Sequence, residues 1–125
     1  MQFRNFKMVS YVVFGRGSFN QLDEILAPHR QNNAPIIFLV DHFFENKPLV
    51  NRIPLRGNDK IIFADVSYEP KTTYVDSIAN DLKATYGTVS GIVGIGGGST
   101  LDLAKAVSLM MNNPGSSADY QGWDL

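Results

Sequence analysis

The chain has 125 residues, 44% of them apolar, which is enough for one domain with a core and too few for two ordinary ones. Its 11 basic and 12 acidic residues are scattered and sum to a formal charge of -1, so no basic field exists to hold nucleic acid or an anionic membrane. The absence of cysteine removes disulfides, thiolate metal sites and cysteine nucleophiles; with no apolar run of bilayer length and no leader pattern over Met1–Lys7, the sequence reads as a soluble, cytoplasmic protein.

In chain order, Ser10–Phe14 is apolar and β-branched enough for a strand, and Met1–Phe14 as an apolar edge would invite pairing in a homodimer. Gly15-Arg16-Gly17 stops that strand and leaves Ser18 to cap a helix directing Phe19, Leu22, Ile25 and Leu26 inward. Pro28 and the polar run His29–Asn33 break it. The unbroken apolar stretch Ile36–Val40, ending at Asp41, suits a strand buried on both faces. From His42 to Asn58, with Pro48 and Pro54 limiting any longer helix, the pattern fits one short helix plus loop.

Lys60–Val66 is the next strand, and Tyr68-Glu69-Pro70 turns the chain toward a helix over Thr73–Tyr86, where Tyr74, Ile78 and Leu82 recur at helical spacing beside Val75 and Ala79. Gly87 stands where such a helix terminates. Ile92–Ile95 then forms a strand running into Gly96-Gly97-Gly98-Ser99-Thr100, and Leu101–Met111 has the composition of a good helix, ended by Asn112-Asn113-Pro114-Gly115. Strands alternating with helices predict an α/β fold, an open and mostly parallel sheet with flanking helices, because parallel neighbours need a crossover and the crossover is usually a helix. The closing Ser116–Leu125 carries Tyr120, Trp123 and Leu125, which need something to pack against.

Successive glycines between a buried strand and a helix let the backbone take torsions closed to other residues and let a ligand approach with no Cβ in the way. At the helix start, the outward amides and the dipole make a site for a phosphate or diphosphate, with the Ser99 hydroxyl as a further donor. Glycines at such a turn also serve simple close packing. Against the common dinucleotide fingerprint, Gly94-Ile95-Gly96 lacks the third glycine, and Asp119, about 20 residues on, follows no strand. Gly15-Arg16-Gly17-Ser18-Phe19-Asn20 is a second partial fingerprint, with Asp41 at a strand end about the right distance away; its plainer reading is a tight turn with a helix cap.

Gly96-Gly97-Gly98-Ser99-Thr100-Leu101-Asp102-Leu103-Ala104-Lys105 resembles, without a gap, the GGGSxxDxAK signature of the iron-containing (group III) alcohol dehydrogenase family. Phe14-Gly15-Arg16-Gly17, the strand-end Asp41 and Glu69-Pro70-Lys71-Thr72 lie where that family has supporting features, although its Asn-Pro is Glu69-Pro70 here. The resemblance implies that residues 1–125 are a Rossmann-like, dinucleotide-binding amino-terminal domain. It implies that Gly97, Gly98 and Ser99 hold the cofactor diphosphate, that Asp41 binds the adenosine ribose, and that Asp102 lies near the nicotinamide end. A carboxylate at Asp41 would accept hydrogen bonds from both ribose hydroxyls and repel a 2′-phosphate, which favours NAD and makes NADP the alternative. Asp102 is equally an acid that the first-turn dipole favours, and Lys105 is read as packing and surface charge.

The family also implies a helical domain in which one aspartate and three histidines hold a divalent metal, iron or zinc, absent from these 125 residues. His29 and His42 are not paired with other ligands at metal-site spacing, so no metal site is expected here. Without the metal that would polarise the alcohol oxygen, these residues are expected to bind dinucleotide and not to turn over. Asn113-Pro114-Gly115 and Tyr120-Gln121-Gly122-Trp123-Asp124-Leu125 resemble the branch that oxidises the terminal hydroxyl of the eight-carbon sugar acid Kdo. The alternative is a non-catalytic α/β module for a phosphorylated ligand or a protein partner.

Overall fold

The computed structural model describes residues 13–67 and 71–112. Three strands, β1 (Ile36–Asp41), β2 (Lys60–Ala64) and β3 (Gly91–Ile95), form a parallel sheet in the order β2-β1-β3. The helices are α1 (Leu22–Leu26), α2 (Thr72–Tyr86) and α3 (Gly98–Asn112), the last leaving the sheet directly after β3. This is the open parallel α/β arrangement expected from the alternation of patterns, and no described helix is long and apolar enough to cross a membrane.

The continuous apolar run of β1 has its cause in the central position. All five residues Ile36–Val40 are at most 1% exposed, and their side chains alternate between two cores. Ile37 and Leu39 face Val75, Ile78, Ala79 and Leu82 of α2 and Leu103, Val107 and Met110 of α3. Ile36, Phe38 and Val40 face Leu26, Ile53 and the partly buried Phe19, Leu22 and Phe44. Each such side chain taken from water contributes about 1.5–3 kcal/mol, so β1 is where sequence hydrophobicity translates most directly into stability. Gly94 is required by packing: a Cβ there would lie 2.9 Å from the Cβ of Ala104, so its absence lets α3 lie close on β3.

At the opposite, amino-terminal end of the strands, Asp59 ties the entry of β1 to the turn before β2. Its carboxylate, 1% exposed, lies 2.8 Å from Arg30 Nη1 and accepts from the Ile36 and Arg56 amides at 2.9 Å each. The β3 entry is fastened in the same region: Ser90 N–H donates to Pro35 O at 2.7 Å and its hydroxyl to Ala34 O at 2.6 Å.

The amino-terminal part differs from expectation. Of the strand anticipated over Ser10–Phe14, residues 10–12 lie outside the described part, as does most of the segment proposed for dimer pairing; Val13 and Phe14 carry no regular structure, and Phe14 is 96% exposed. Among the described residues Phe14 has almost no cover, so its side chain gives the backbone no reason to extend, and Gly15 and Gly17, at φ 133° and 84°, turn the chain at once. Ser18 does not cap: Gly17 occupies that position, and a 3-10 turn over Ser18–Gln21 leads into α1 and a second 3-10 turn over Ala27–His29. Pro28 thus sits within a tightened last turn. Ile25, expected inward, is 42% exposed because so short a helix buries only one edge. Between β1 and β2 there are two 3-10 turns, His42–Phe44 and Pro48–Arg52, where one helix was anticipated. The second docks against the first segment through Arg52, whose Nη2 donates to Asn20 Oδ1 at 2.7 Å and whose guanidinium lies over the Phe19 ring.

Candidate functional site

The carboxyl ends of β1 and β3 lie side by side because the parallel register pairs Leu39 with Gly94 and Val40 with Ile95. The chain then diverges: β1 ends at Asp41, while β3 opens into the glycine loop. Loop and acid, 55 residues apart in sequence, become neighbours, and a Cβ built on Gly96 would come within 3.0 Å of Asp41 Cβ. Open α/β sheets bind ligands at this edge, beyond the carboxyl ends of the strands.

The three glycines differ. Gly96 has φ 153° and, although itself exposed, has no room for a side chain, with Thr100 Oγ1 only 2.5 Å from where its Cβ would stand. Gly97 and Gly98 face open space, with no heavy atom within 4 Å of a built Cβ. Close packing is thus met at Gly96, while Gly97 and Gly98 leave the space that the approach of a ligand would need. The first intrahelical bond of α3 runs from Leu101 N–H to Gly97 O at 3.1 Å, which makes Gly97 the N-cap and leaves the amides of Gly98, Ser99 and Thr100 without an acceptor in the helix. Behind them Thr100 is fully buried, and its Oγ1 has no hydrogen-bond partner among the described residues. A buried hydroxyl without a partner costs about 1–3 kcal/mol, so the loop is built with hydrogen-bonding capacity that its own chain does not use.

Gly97, Gly98, Ser99 and Asp102 are all exposed, and Asp102, three residues after Ser99 and four after Gly98, stands on the same face of α3. The expected site residues thus form one surface, with Asp41 at its inner border. Asp41 is 24% exposed in its side chain; Oδ1 accepts from the Phe43 amide at 3.0 Å, capping the turn His42–Phe44. His42, which stands at the same strand end, has Nδ1 3.4 Å from Asp41 Oδ1, 3.3 Å from Ala64 O and 3.9 Å from Asp65 Oδ1. Asp65 is held below the usual carboxylate range, first by the Ser67 amide and then by the Ser67 hydroxyl. The Gly15–Asn20 turn is built around a different task, bracing α1 against Pro48–Arg52.

Sequence reasoning missed Thr100, whose place in the first helical turn carries no pattern of its own; it marked His42 as a strand-end residue able to border the cleft but weighed against that, and the contacts that join His42 to two strand ends are visible only in the fold. His29 lies exposed in its 3-10 turn. Among the described residues no group of three or more His, Asp or Glu side chains is placed to hold a metal ion. Other depressions among the described residues, one lined by Gln31, Ser90 and Asn112, one by Lys60, Ile78 and Tyr86 and one by Glu45, Pro48 and Phe63, include no residue of the glycine loop.

Comparison with known proteins adds a second line of observation. Residues 10–125 match the family model described as iron-containing alcohol dehydrogenase. A sulfoacetaldehyde reductase of Bilophila wadsworthia is 33% identical over 79 residues, 63% of this chain and 20% of that protein. An NAD-dependent methanol dehydrogenase of Bacillus methanolicus is 30% identical over 122 residues, 94% of this chain and 31% of that protein. The crystal structure of sulfoacetaldehyde reductase from Bifidobacterium kashiwanohense in complex with NAD+ matches with a TM-score of 0.66 and 26% identity, over 86% of this chain and 28% of that one. The chain spans about a fifth to a third of the length of these relatives.

Proposed function

Because the chain belongs to the iron-containing alcohol dehydrogenase family, we propose that residues 1–125 are the NAD-binding domain of an oxidoreductase interconverting a primary alcohol and its aldehyde. One observation carries the reading: the amides of Gly98, Ser99 and Thr100 have no acceptor in the helix, Gly97 and Gly98 leave open space where side chains would stand, and the unpartnered Thr100 hydroxyl and Asp41 both lie against Gly96. These groups fit a diphosphate, which needs converging N–H donors and a positive dipole end with no side chain in the way.

In this reading Gly97, Gly98 and Ser99 hold the diphosphate, Asp41 accepts from the adenosine ribose, and Asp102 borders the nicotinamide end. Asp41 Oδ1 accepts from the Phe43 amide and has His42 Nδ1 at 3.4 Å, which leaves Oδ2 as the oxygen with capacity for the ribose hydroxyls. A 2′-phosphate beside that carboxylate would add like charges, which supports NAD over NADP. When bound, the nicotinamide supplies the hydride acceptor; this chain binds and orients it. The named relatives act on methanol or sulfoacetaldehyde, small substrates of the proposed class. The narrower candidate, the terminal hydroxyl of Kdo, rests on Asn113–Gly115 and Tyr120–Leu125, outside the described residues, and the named relatives do not carry it.

The described residues do not fit the family's metal: His29 and His42 stand apart from any three-ligand group, so no step here is assigned to one. Calorimetry with NAD tests the proposal, supported by thermal shift with ADP-ribose against free sugar phosphates. Stabilisation by NAD and ADP-ribose is expected, since a ligand of the folded state raises apparent stability. Equal stabilisation by sugar phosphates alone would favour the non-catalytic module instead.

A further inference from the structure

His42 closes the same strand end as Asp41, and the geometry fixes which of its ring nitrogens does what. Nδ1 lies 3.3 Å from the carbonyl oxygen of Ala64, an atom that only accepts, and 3.4 Å from the carboxylate oxygen of Asp41. Nδ1 therefore carries the proton in the neutral ring, and Nε2, across the ring, presents a bare lone pair. On protonation Nε2 becomes an N–H donor and the ring a cation, while Nδ1 keeps its partners. The side chain is 46% exposed, while its Nδ1 edge is the one turned to Ala64 and Asp41.

The ionised groups within 4.0 Å of this ring among the described residues are Asp41, at the end of β1, and Asp65, just beyond β2. Lys47, the cation next along this segment, holds its ammonium over the Phe43 ring at 4.6 Å. With His42 neutral the cluster carries two negative charges; with His42 protonated it carries one, and gains an outward donor.

We propose that His42 sets coenzyme choice as a function of pH, its neutral ring leaving Asp41 to exclude a 2′-phosphate and its protonated ring admitting NADP through Nε2–H and the added charge. This rests on the dinucleotide reading of Asp41, and deepens it: the site discriminates between the two nicotinamide coenzymes most strongly in alkaline solution. Histidine is the side chain whose charge changes between about pH 5 and 8. A charge-assisted hydrogen bond is worth about 1.5–3 kcal/mol, which corresponds to a change of about tenfold or more in affinity.

The test is calorimetric affinity for NAD and for NADP at pH 5.5 and 8.5 in the full chain and in His42→Asn, which keeps a donor at the Nδ1 position and removes the titrating charge. The NADP-to-NAD affinity ratio is expected to rise about tenfold on acidification in the parent protein. Because a 2′-phosphate itself takes up a proton near pH 6, a smaller rise of about threefold or less is expected to persist in the variant. The same rise in both proteins, or a ratio that does not move in the parent, overturns the role of His42 while leaving NAD binding intact. Failure of NAD to bind at either pH overturns the dinucleotide reading and this inference with it.

Discussion

Gly96 and Thr100 stand so close that a methyl group on the glycine would meet the threonine hydroxyl oxygen at 2.5 Å and its Cβ at 2.8 Å. The contact joins the end of β3 to the first turn of α3, and it separates a glycine that serves packing from two that meet nothing where a side chain would stand.

Gly96→Ala should cost about 2–4 kcal/mol, from an unfavourable φ together with overpacking, and should lower the melting temperature accordingly. Gly98→Ala meets nothing and should leave the melting temperature unchanged or slightly raised, yet weaken NAD about tenfold or more by standing where the diphosphate approaches. Thermal melts and calorimetry on both variants check this. Equal loss of stability in the two would contradict the division of roles.

Asp59→Ala should destabilise by about 3–5 kcal/mol in denaturant titrations, because it leaves Arg30 and the Ile36 and Arg56 amides without their shared acceptor. The site lies at the other end of the sheet, so NAD affinity of the folded fraction should not change. A variant as stable as the parent would show that water replaces the carboxylate.

Asp41→Ser retains a short oxygen acceptor for the Phe43 amide and removes the charge. The NADP-to-NAD affinity ratio should rise about tenfold or more at pH 8.5 with little change in melting temperature. An unchanged ratio would place the adenosine ribose elsewhere.

Asp23 is held below the usual carboxylate range, first by its hydrogen bond from Arg56, whose own proton is held more tightly in return. A depressed carboxyl stabilises the fold fully above its unfolded value of about 3.9 and loses that contribution as pH falls through the lower folded value. The pair, with Arg56 Nη2 2.6 Å from Asp23 Oδ2, is exposed, so the effect on stability is small, but it is visible in titration. In Arg56→Gln the Asp23 carboxyl should titrate closer to the ordinary range by NMR. An identical titration curve would show that the ion pair does not persist in solution.

The sheet and its two long helices were legible because each carries a complete local pattern. Ile36–Val40 is apolar without interruption because both faces are covered, and Tyr74, Val75, Ile78, Ala79 and Leu82 keep helical spacing because α2 buries one stripe. The segments before β1 and between β1 and β2 were not legible. Their turns are fixed by distant partners, such as Arg52 on Asn20 and Arg56 on Asp23, which no window of neighbouring residues contains. The glycine loop announced itself by composition, whereas the contact between Asp41 and Gly96 follows from strand order, a long-range property. Thr100 gave no signal because its significance lies in what surrounds it, and His42 gave only its place after Asp41 at a strand end, which marks a residue able to border the cleft but not its contacts with Ala64 and Asp65.

The pairing of β3 with β1 also works as a gauge. Leu39 opposite Gly94 and Val40 opposite Ile95 bring Asp41 and Gly96 level, and a slip of one residue would turn every β3 side chain to the wrong layer while pulling acid and loop out of step. Alignment errors are thus penalised by hydrophobic mismatch before any nucleotide arrives. Amide protons of β1, bonded along both flanks, should be the last to exchange with deuterium, so the acid rides on the most persistent segment while the loop is carried by a strand flanked on one side among the described residues.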